Sequence, residues 1–273
     1  MLRLSVLIST ISSHLSILTP QQYPVVKGVC YLFSCQYTQI EPPTSPRWML
    51  ARQDIQFYTI KGNGISANRN HAIARCQTTL AIIGDDDVFY SAKNLYKAIE
   101  LMDKHPNVDI ACLRATDMKG LFIKNYASQP YLYVKRPKGT YISSIELLLR
   151  ISPRIPQFDL RFGLGSPYLG CGEEEIFLHD SIKKGLIVKY YPQTLCRTRE
   201  TFTTGSHFGT NAAVRRAKGA VFAYIYSPIG ALLRIVKTAI FISHPKIRLL
   251  AIKDMLAGAL YLIHTSHTGA PYI

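Results

Sequence analysis

Leu80-Ala81-Ile82-Ile83-Gly84-Asp85-Asp86-Asp87 is a short apolar run that ends in a glycine and three adjacent carboxylates. An apolar stretch of this length, without polar alternation, reads as a strand buried on both faces, as strands of a parallel sheet are. The carboxylates that follow repel one another and resist burial unless a cation neutralises them. Open parallel sheets put their ligand crevice at the carboxyl ends of the strands. Asp85 and Asp87, as alternate residues, can reach a common Mg²⁺ or Mn²⁺ held by hard oxygen ligands, and such an ion also grips a pyrophosphate. The competing reading is an acidic turn that caps the next helix, a place Ser91 already fills.

Working outward, the same alternation of strand and helix recurs. Leu4 to Ser9, Val29 to Ser34 and Ile55 to Ile60 read as strands, and Glu41-Pro42-Pro43-Thr44-Ser45-Pro46 as a loop. The run Met1 to Thr10 has some character of a secretion signal, but its serines dilute the apolar segment, and a buried first strand is the preferred reading. Ser66 to Cys76 suits a helix capped by Ser66. Ser91 opens another that Pro106 ends, and Val108 to Leu113 is again a strand. Strands alternating with helices predict an α/β fold with a mainly parallel sheet. Gly120 to Val134 is aromatic and reads as antiparallel. Ser143 and Glu146 form a capping box ahead of Ile145 to Ile151. Gly172 to Lys184 is a helix with glutamates in its first turn, lysines in its last and Gly185 as its stop, and Leu186 to Tyr191 is a strand ending at Pro192.

The chain of 273 residues carries 32 Lys and Arg against 17 Asp and Glu, a formal net charge of +15. That excess points to a polyanionic or phosphorylated partner, and the 48% apolar content excludes a disordered chain. Six scattered cysteines lack metal-site spacing and read as reduced, buried thiols. After about Gly219 the sequence turns strongly apolar. Gly219 to Ile242 and Ile247 to Ile263 are split by Pro228 and Pro245 and punctuated by Arg234, Lys237, Lys246, Arg248 and Lys253. Neither supplies the roughly 20 uninterrupted apolar residues of a spanning helix. They read as amphipathic helices that pack on the domain or lie in a membrane interface.

Two further stretches carry chemistry. Gly62-Asn63-Gly64-Ile65-Ser66-Ala67-Asn68-Arg69-Asn70 is a tight turn into a helix whose start can face an anion, with Arg69 adding donors suited to phosphate; an ordinary loop with a surface arginine reads the same way. Phe158-Asp159-Leu160-Arg161-Phe162-Gly163-Leu164-Gly165 leads through Gly170-Cys171-Gly172 to Glu173-Glu174-Glu175. These glutamates exceed what capping needs, and one of them can act as a general base, although a well-capped exposed helix looks alike.

Taken together, these motifs from about Arg3 to Pro192 resemble glycosyltransferase family 2, inverting enzymes with a GT-A fold. The resemblance implies a GT-A, Rossmann-like sheet domain over residues 1–218; residues 219–273 read as a C-terminal amphipathic helical appendage that packs on the domain or associates with a membrane. It implies that Asp85 and Asp87 form the DxD pair, with Asp87 as metal ligand and Asp85 facing the ribose or the metal. Nucleotide-sugar contacts fall to Ser9, Arg69, Asn70, Asp85, Asp86, Arg197 and Arg199. Glu174 takes the slot of the catalytic base, and Glu173 beside it contacts the acceptor. The implied cofactor is Mg²⁺ or Mn²⁺. The implied partners are a nucleotide diphosphate-sugar, a glycan or lipid-linked acceptor and an anionic membrane surface on the cytoplasmic side, in cell-surface polysaccharide synthesis.

The departures from the family pattern are informative. Ser34-Cys35-Gln36 stands where an acidic pair usually meets the nucleotide base, which leaves UDP, GDP and dTDP donors open. Where many relatives have a metal-binding histidine, this chain has Leu195-Cys196-Arg197-Thr198-Arg199-Glu200-Thr201, with His207 further on as a minor candidate. Arg197 or Arg199 then stabilises the leaving diphosphate. Two rival readings are a nucleotidyltransferase and a non-catalytic basic protein that binds nucleic acid or membrane. The first lacks its basic glycine-rich loop after the first strand, where Ser9-Thr10-Ile11-Ser12-Ser13 stands. Against the second, much of the basic count lies in the apolar C-terminal third, so no nucleic-acid partner is expected.

Overall fold

The computed structural model describes residues 2–199, 204–242 and 245–267. Among these, nine strands form one sheet: β1 (Leu4–Ile11), β2 (Val29–Tyr37), β3 (Ile55–Lys61), β4 (Leu80–Asp85), β5 (Val88–Phe89), β6 (Ile110–Thr116), β7 (Tyr131–Leu132), β8 (Leu147–Arg150) and β9 (Val188–Thr198). The helices are α1 (Arg47–Leu50), α2 (Ile65–Arg75), α3 (Ala92–Lys104), α4 (Glu173–Lys183), α5 (Ala212–Ile225), α6 (Pro228–Ile240) and α7 (Pro245–His267).

Two compact units make up the chain. The first holds residues 1–63, 67–157 and 180–201, and the second holds 64–66, 158–179 and the chain from 202 onward. The whole sheet belongs to the first unit, in the order β3-β2-β1-β4-β8-β6-β9-β5, with β7 paired to β9. The longest registers, β1 with β2, β2 with β3 and β1 with β4, are parallel, and β6 also runs parallel to β9. β8 enters antiparallel between β4 and β6. The core is made where β1, β2 and β4, apolar on both faces, meet the apolar stripe of α3, with Leu95, Ala98, Ile99 and Met102 buried.

Three expectations change at this point. The Ser143–Glu146 capping box forms, but it caps a single 3₁₀ turn that feeds strand β8, because Leu147, Leu148 and Leu149 find partners in β4 and β6. The strand expected to end at Pro192 runs on to Thr198; register shifts against β6 absorb the proline, which has no N–H to donate. Most of 117–143 is irregular, and only Tyr131–Leu132 adds an antiparallel edge. All six cysteines are free, as read from their spacing.

In the second unit α5 and α7 cross backbone against backbone. A Cβ on Gly219 would run into the Met255 carbonyl, and one on Gly258 into that of Arg216. Ala217, Ala220 and Val221 of α5 and Leu262 of α7 bury against Phe162, Leu169 and Ile176. Arg215, almost wholly buried, holds α7 through Asp254 at 2.7 Å. The expected boundary between residues 218 and 219 therefore falls inside a helix. The rise in hydropathy there marks a packing face rather than the edge of a domain.

Candidate active site

In the first unit the apolar run of β4 carries the acidic triplet to the carboxyl end of the parallel strands, where Asp85 lies opposite Ser9 of β1. Gly84 just before it has no room for a side chain: a Cβ would stand 2.6 Å from the Tyr90 hydroxyl. The three carboxylates do not share one environment. Asp85 accepts from Arg69 Nη2 at 3.2 Å and from Ser144 Oγ at 3.3 Å. Asp86 accepts from Thr10 Oγ1 at 2.6 Å and lies 3.0 Å from His14 Nδ1. Asp87 accepts from Thr198 Oγ1 at 2.6 Å. Dispersal onto separate partners relieves the mutual repulsion of adjacent charges, and all three residues keep part of their surface open to solvent.

Arg69 belongs to α2 and is buried; its guanidinium also donates to Ser144 Oγ at 2.7 Å. It thus reaches the crevice as the partner of Asp85 rather than as a free surface fork. Asn68, one residue earlier, donates to the Thr10 carbonyl at 3.0 Å and ties α2 to the end of β1. Asn70 is half-buried on the same helix. Ser9 is buried, and its hydroxyl has no hydrogen-bond partner among the described residues. On β2, Ser34 Oγ sits 2.7 Å from His71 Nδ1. Burial, with the nearby Arg75 adding to it, pushes the His71 imidazole down to about 4.

β5 folds back from the triplet onto the end of β9, pairing Val88 with Thr198 and Phe89 with Arg197. Arg199 donates its backbone N–H to the Asp87 carbonyl at 3.2 Å and lays its guanidinium over the Phe89 ring at 4.8 Å. Arg197 and Arg199 are both exposed and flank Thr198. Glu200 and Thr201 lie outside the described residues.

The other acidic triplet lies in the second unit, at the first turn of α4. Glu173 is buried, and Glu174 and Glu175 are half-buried. The glycines ahead of it make the space. Gly163 sits at φ +103°, where L side chains are strained, and a Cβ there would meet Ile65 at 2.6 Å and the Glu173 carboxyl carbon at 3.1 Å. Ser66 donates to the Phe162 carbonyl at 2.8 Å and Ile65 N–H to the Leu164 carbonyl at 2.8 Å, which fixes this loop. Asp159 is held by Arg161 through two parallel bonds, the shorter at 2.6 Å. Burial, with Glu173 and Glu174 adding to it, pushes the Cys171 thiol up to about 12, which leaves it inert. His207 is exposed in a short 3₁₀ turn of this unit.

Among the described residues no three Asp, Glu, His or Cys side chains close into a metal cage. The donor chemistry at the end of β4 nevertheless fits a hard divalent ion. Three carboxylates gather there against a single buried guanidinium, and Mg²⁺ typically takes one or two carboxylates plus substrate phosphate oxygens. Sequence reasoning missed Thr10, His14, Ser144 and Thr198 as partners of the triplet. Nothing in a single hydroxyl or imidazole foretells the register that delivers it.

Comparisons with known proteins accord with this geometry. The family described as "Glycosyl transferase family 2" matches residues 47–156. No curated protein sequence matches the chain. Among solved structures, S. aureus TarS 1–349 superposes with a TM-score of 0.59 at 11% identity, covering 100% of this chain and 93% of that one. The same protein in complex with UDP-GlcNAc gives 0.56 at 12% identity, with the same coverage of 100% and 93%. A longer TarS structure gives 0.54 at 12% identity, covering 97% of this chain and 55% of that one. The likeness is one of fold, the GT-A arrangement that the sequence led us to expect. The matched segment contains Arg69, Asn70 and the triplet Asp85-Asp86-Asp87, and it ends before the glutamates of α4.

Proposed function

We propose that this chain, whose residues 47–156 match glycosyl transferase family 2, moves a sugar, with inversion, from a nucleotide diphosphate-sugar onto a glycan or lipid-linked acceptor in cell-surface polysaccharide synthesis. The observation that carries the reading is the acidic triplet at the carboxyl end of β4, inside the matched segment, with Asp85 and Asp87 each turned to a different neighbour.

Asp85 and Asp87 are the side chains that would hold Mg²⁺ or Mn²⁺, which would supply positive charge against the diphosphate. Ser9, Arg69, Asn70 and Asp86 belong to the nucleotide-sugar pocket. Arg69 orients Asp85 through its buried pairing, and the exposed guanidiniums of Arg197 and Arg199 receive the leaving diphosphate. Glu174 takes the acceptor hydroxyl proton on its carboxylate, and Glu173 positions the acceptor. The acceptor oxygen bonds to the anomeric carbon as the bond to the diphosphate breaks, with no covalent enzyme intermediate.

A nucleotide-sugar panel, read by thermal shift with and without Mn²⁺, tests this. A donor that binds only the native state raises the melting temperature by mass action. The expected result is a shift from one donor class that needs the ion; a panel of UDP-, GDP- and dTDP-sugars that leaves the melting temperature unmoved in both series overturns the reading.

The second unit supports a place on the cytoplasmic face of a membrane. No helix among the described residues is long and apolar enough to cross one. Yet α6 exposes Ile229, Leu232, Leu233, Val236 and Ile240 at helical spacing, and α7 exposes Leu249, Leu256, Leu260 and Ile263. Residues 212–267 carry eight Lys and Arg against the lone acid Asp254. Apolar side chains at the interface and basic residues near anionic headgroups contribute in the same direction, about 1 kcal/mol per charge. Sedimentation with anionic vesicles is expected at low salt and is expected to weaken in Leu233→Asp/Ile240→Asp. Equal pelleting of that variant, or none by the native chain, rules the surface out.

A further inference from the structure

One segment of the first unit meets the donor site only through Ser144 yet has a marked composition. Residues 111–145 hold six basic side chains (Arg114, Lys119, Lys124, Lys135, Arg136 and Lys138) against a single acid, Asp117, and interleave five aromatic rings. Within this segment Lys124, Asn125, Gly139, Thr140 and Tyr141 line a cavity of about 380 Å³.

The wall of this cavity is built rather than incidental. Pro137 to Thr140 form a tight turn: Thr140 donates its N–H to the Pro137 carbonyl at 3.3 Å and its hydroxyl to the same oxygen at 2.7 Å. Gly139 supplies the φ of +80° that the turn requires. The turn presents Lys138 at its tip, and Lys135 is exposed just before it; neither has an ion-pair partner among the described residues. Behind the turn, Tyr131 stacks on Tyr190 at 4.7 Å, and Arg114 holds the Tyr190 hydroxyl at 2.7 Å.

On the other wall the Lys124 ammonium is almost wholly buried. It donates to Glu146 Oε2 at 2.7 Å and to Ser143 Oγ at 3.3 Å, and it stands 4.1 Å from the centre of the Tyr141 ring. Of its three donors, the third has no hydrogen-bond partner among the described residues, and this ammonium lines the cavity. Tyr141 is 47% exposed, so its ring is available as a platform. Ser143 and the next residue tie this cavity to the donor site, because Ser144 Oγ reaches Asp85 at 3.3 Å.

We propose that this cavity is an acceptor subsite that takes an anionic saccharide, one bearing carboxylate or phosphate groups. An amphipathic ring such as Tyr141 suits a sugar, whose C–H face is apolar and whose rim is polar. The Lys124 ammonium in the wall, with the exposed Lys135 and Lys138 before and on the turn, answers a negative group and selects against neutral glycans. The proposal rests on the glycosyl-transfer reading, since it gives that reaction its acceptor class.

The test is a calorimetric titration of the full chain at low salt with four probes: an oligogalacturonate hexamer, a phosphorylated maltohexaose, neutral maltohexaose and a single-stranded RNA of matched charge. The two anionic saccharides separate a carboxylate from a phosphate preference. At least one is expected to bind about tenfold or more tighter than maltohexaose, and to lose about that factor in Lys135→Glu/Lys138→Glu, with the circular-dichroism spectrum unchanged. Tyr141→Ala is expected to weaken every saccharide probe. Equal binding of charged and neutral saccharides overturns the proposal, as does an unaffected double variant or RNA binding tighter than either saccharide. The donor-induced thermal shift is read on the same samples. Failure of the transfer reading appears there, while the saccharide titration alone decides the subsite.

Discussion

Three consecutive carboxylates occur twice in this molecule, at the end of strand β4 and at the start of helix α4, and the two triplets solve the problem of adjacent charge in different ways. At the strand end the chain turns after Asp85, so Asp85, Asp86 and Asp87 draw on partners from α2, β1, β9 and the turn before β8. At the helix start, the N–H groups of the first turn and the helix dipole favour negative charge. Gly163 leaves room for the Glu173 carboxylate. The first triplet is therefore woven into the sheet, whereas the second stands on the first turn of one helix. Loss of a carboxylate is expected to have different consequences in the two places.

The largest difference concerns ligand binding. Asp87→Ala is expected to abolish metal-dependent nucleotide-sugar binding while the fold persists, because Asp87 is only half-buried and the Thr198 hydroxyl that donates to it can turn to water. Calorimetry that finds donor affinity intact in this variant breaks the assignment of the strand-end triplet to the donor.

Next in size is the effect at α4. Glu174→Gln preserves shape and hydrogen bonding but cannot take a proton, so transfer is expected to fall by about 10²-fold or more with donor binding nearly unchanged. Near-normal turnover would shift the base to Glu173 or Glu175 and weaken the division of labour between the triplets.

A smaller effect separates the two in stability. Asp85→Ala leaves the buried Arg69 without that carboxylate, and since Asp85 is 29% exposed, solvent relieves part of the cost. A loss of about 1–2 kcal/mol is expected by urea denaturation, against about 0.5 kcal/mol or less for Glu174→Gln. Equal losses at both sites would show that the strand-end triplet is not woven in more tightly than the helical one.

How much of this was legible in the sequence follows from how local each signal is. The apolar runs of β1, β2 and β4 and the capped helices α3 and α4 declare themselves within a dozen residues, and they appear where expected. The acidic triplets were equally plain as chemistry. β8 was not, because its capping box is a local helix signal that loses to pairing with β4 and β6, which lie some 70 and 40 residues away in sequence. Nor were Ser144 and Thr198, whose roles depend on where two distant segments are brought together. The basic, aromatic stretch from 111 to 145 was passed over because its cations are spread singly along the chain, and the fold brings Lys124 and Asn125 beside the turn at Gly139 to Tyr141.

The smallest expected effect is a dependence on acid, and it belongs to the strand-end side of the comparison. His71 lies two residues after Arg69 on α2 and meets Ser34 of β2 at 2.7 Å. Its imidazole titrates at about 4 in the folded chain, chiefly through burial and then through Arg75, against about 6.5 in an unfolded one. Between those two pH values the unfolded chain binds more protons than the folded one, so stability rises with pH across the window. The contribution is fully present above about pH 6.5, is lost as pH falls toward 4, and changes no further below that. Because the ring is partly exposed, solvent screens the effect, and the melting temperature is expected to move by about 2 °C or less on this account. Melting curves of the native chain and of His71→Asn between pH 7.5 and 4 isolate it: the variant should show a flatter acid limb. Parallel curves would place the acid sensitivity elsewhere, with the strand-end carboxylates as the first groups to titrate individually.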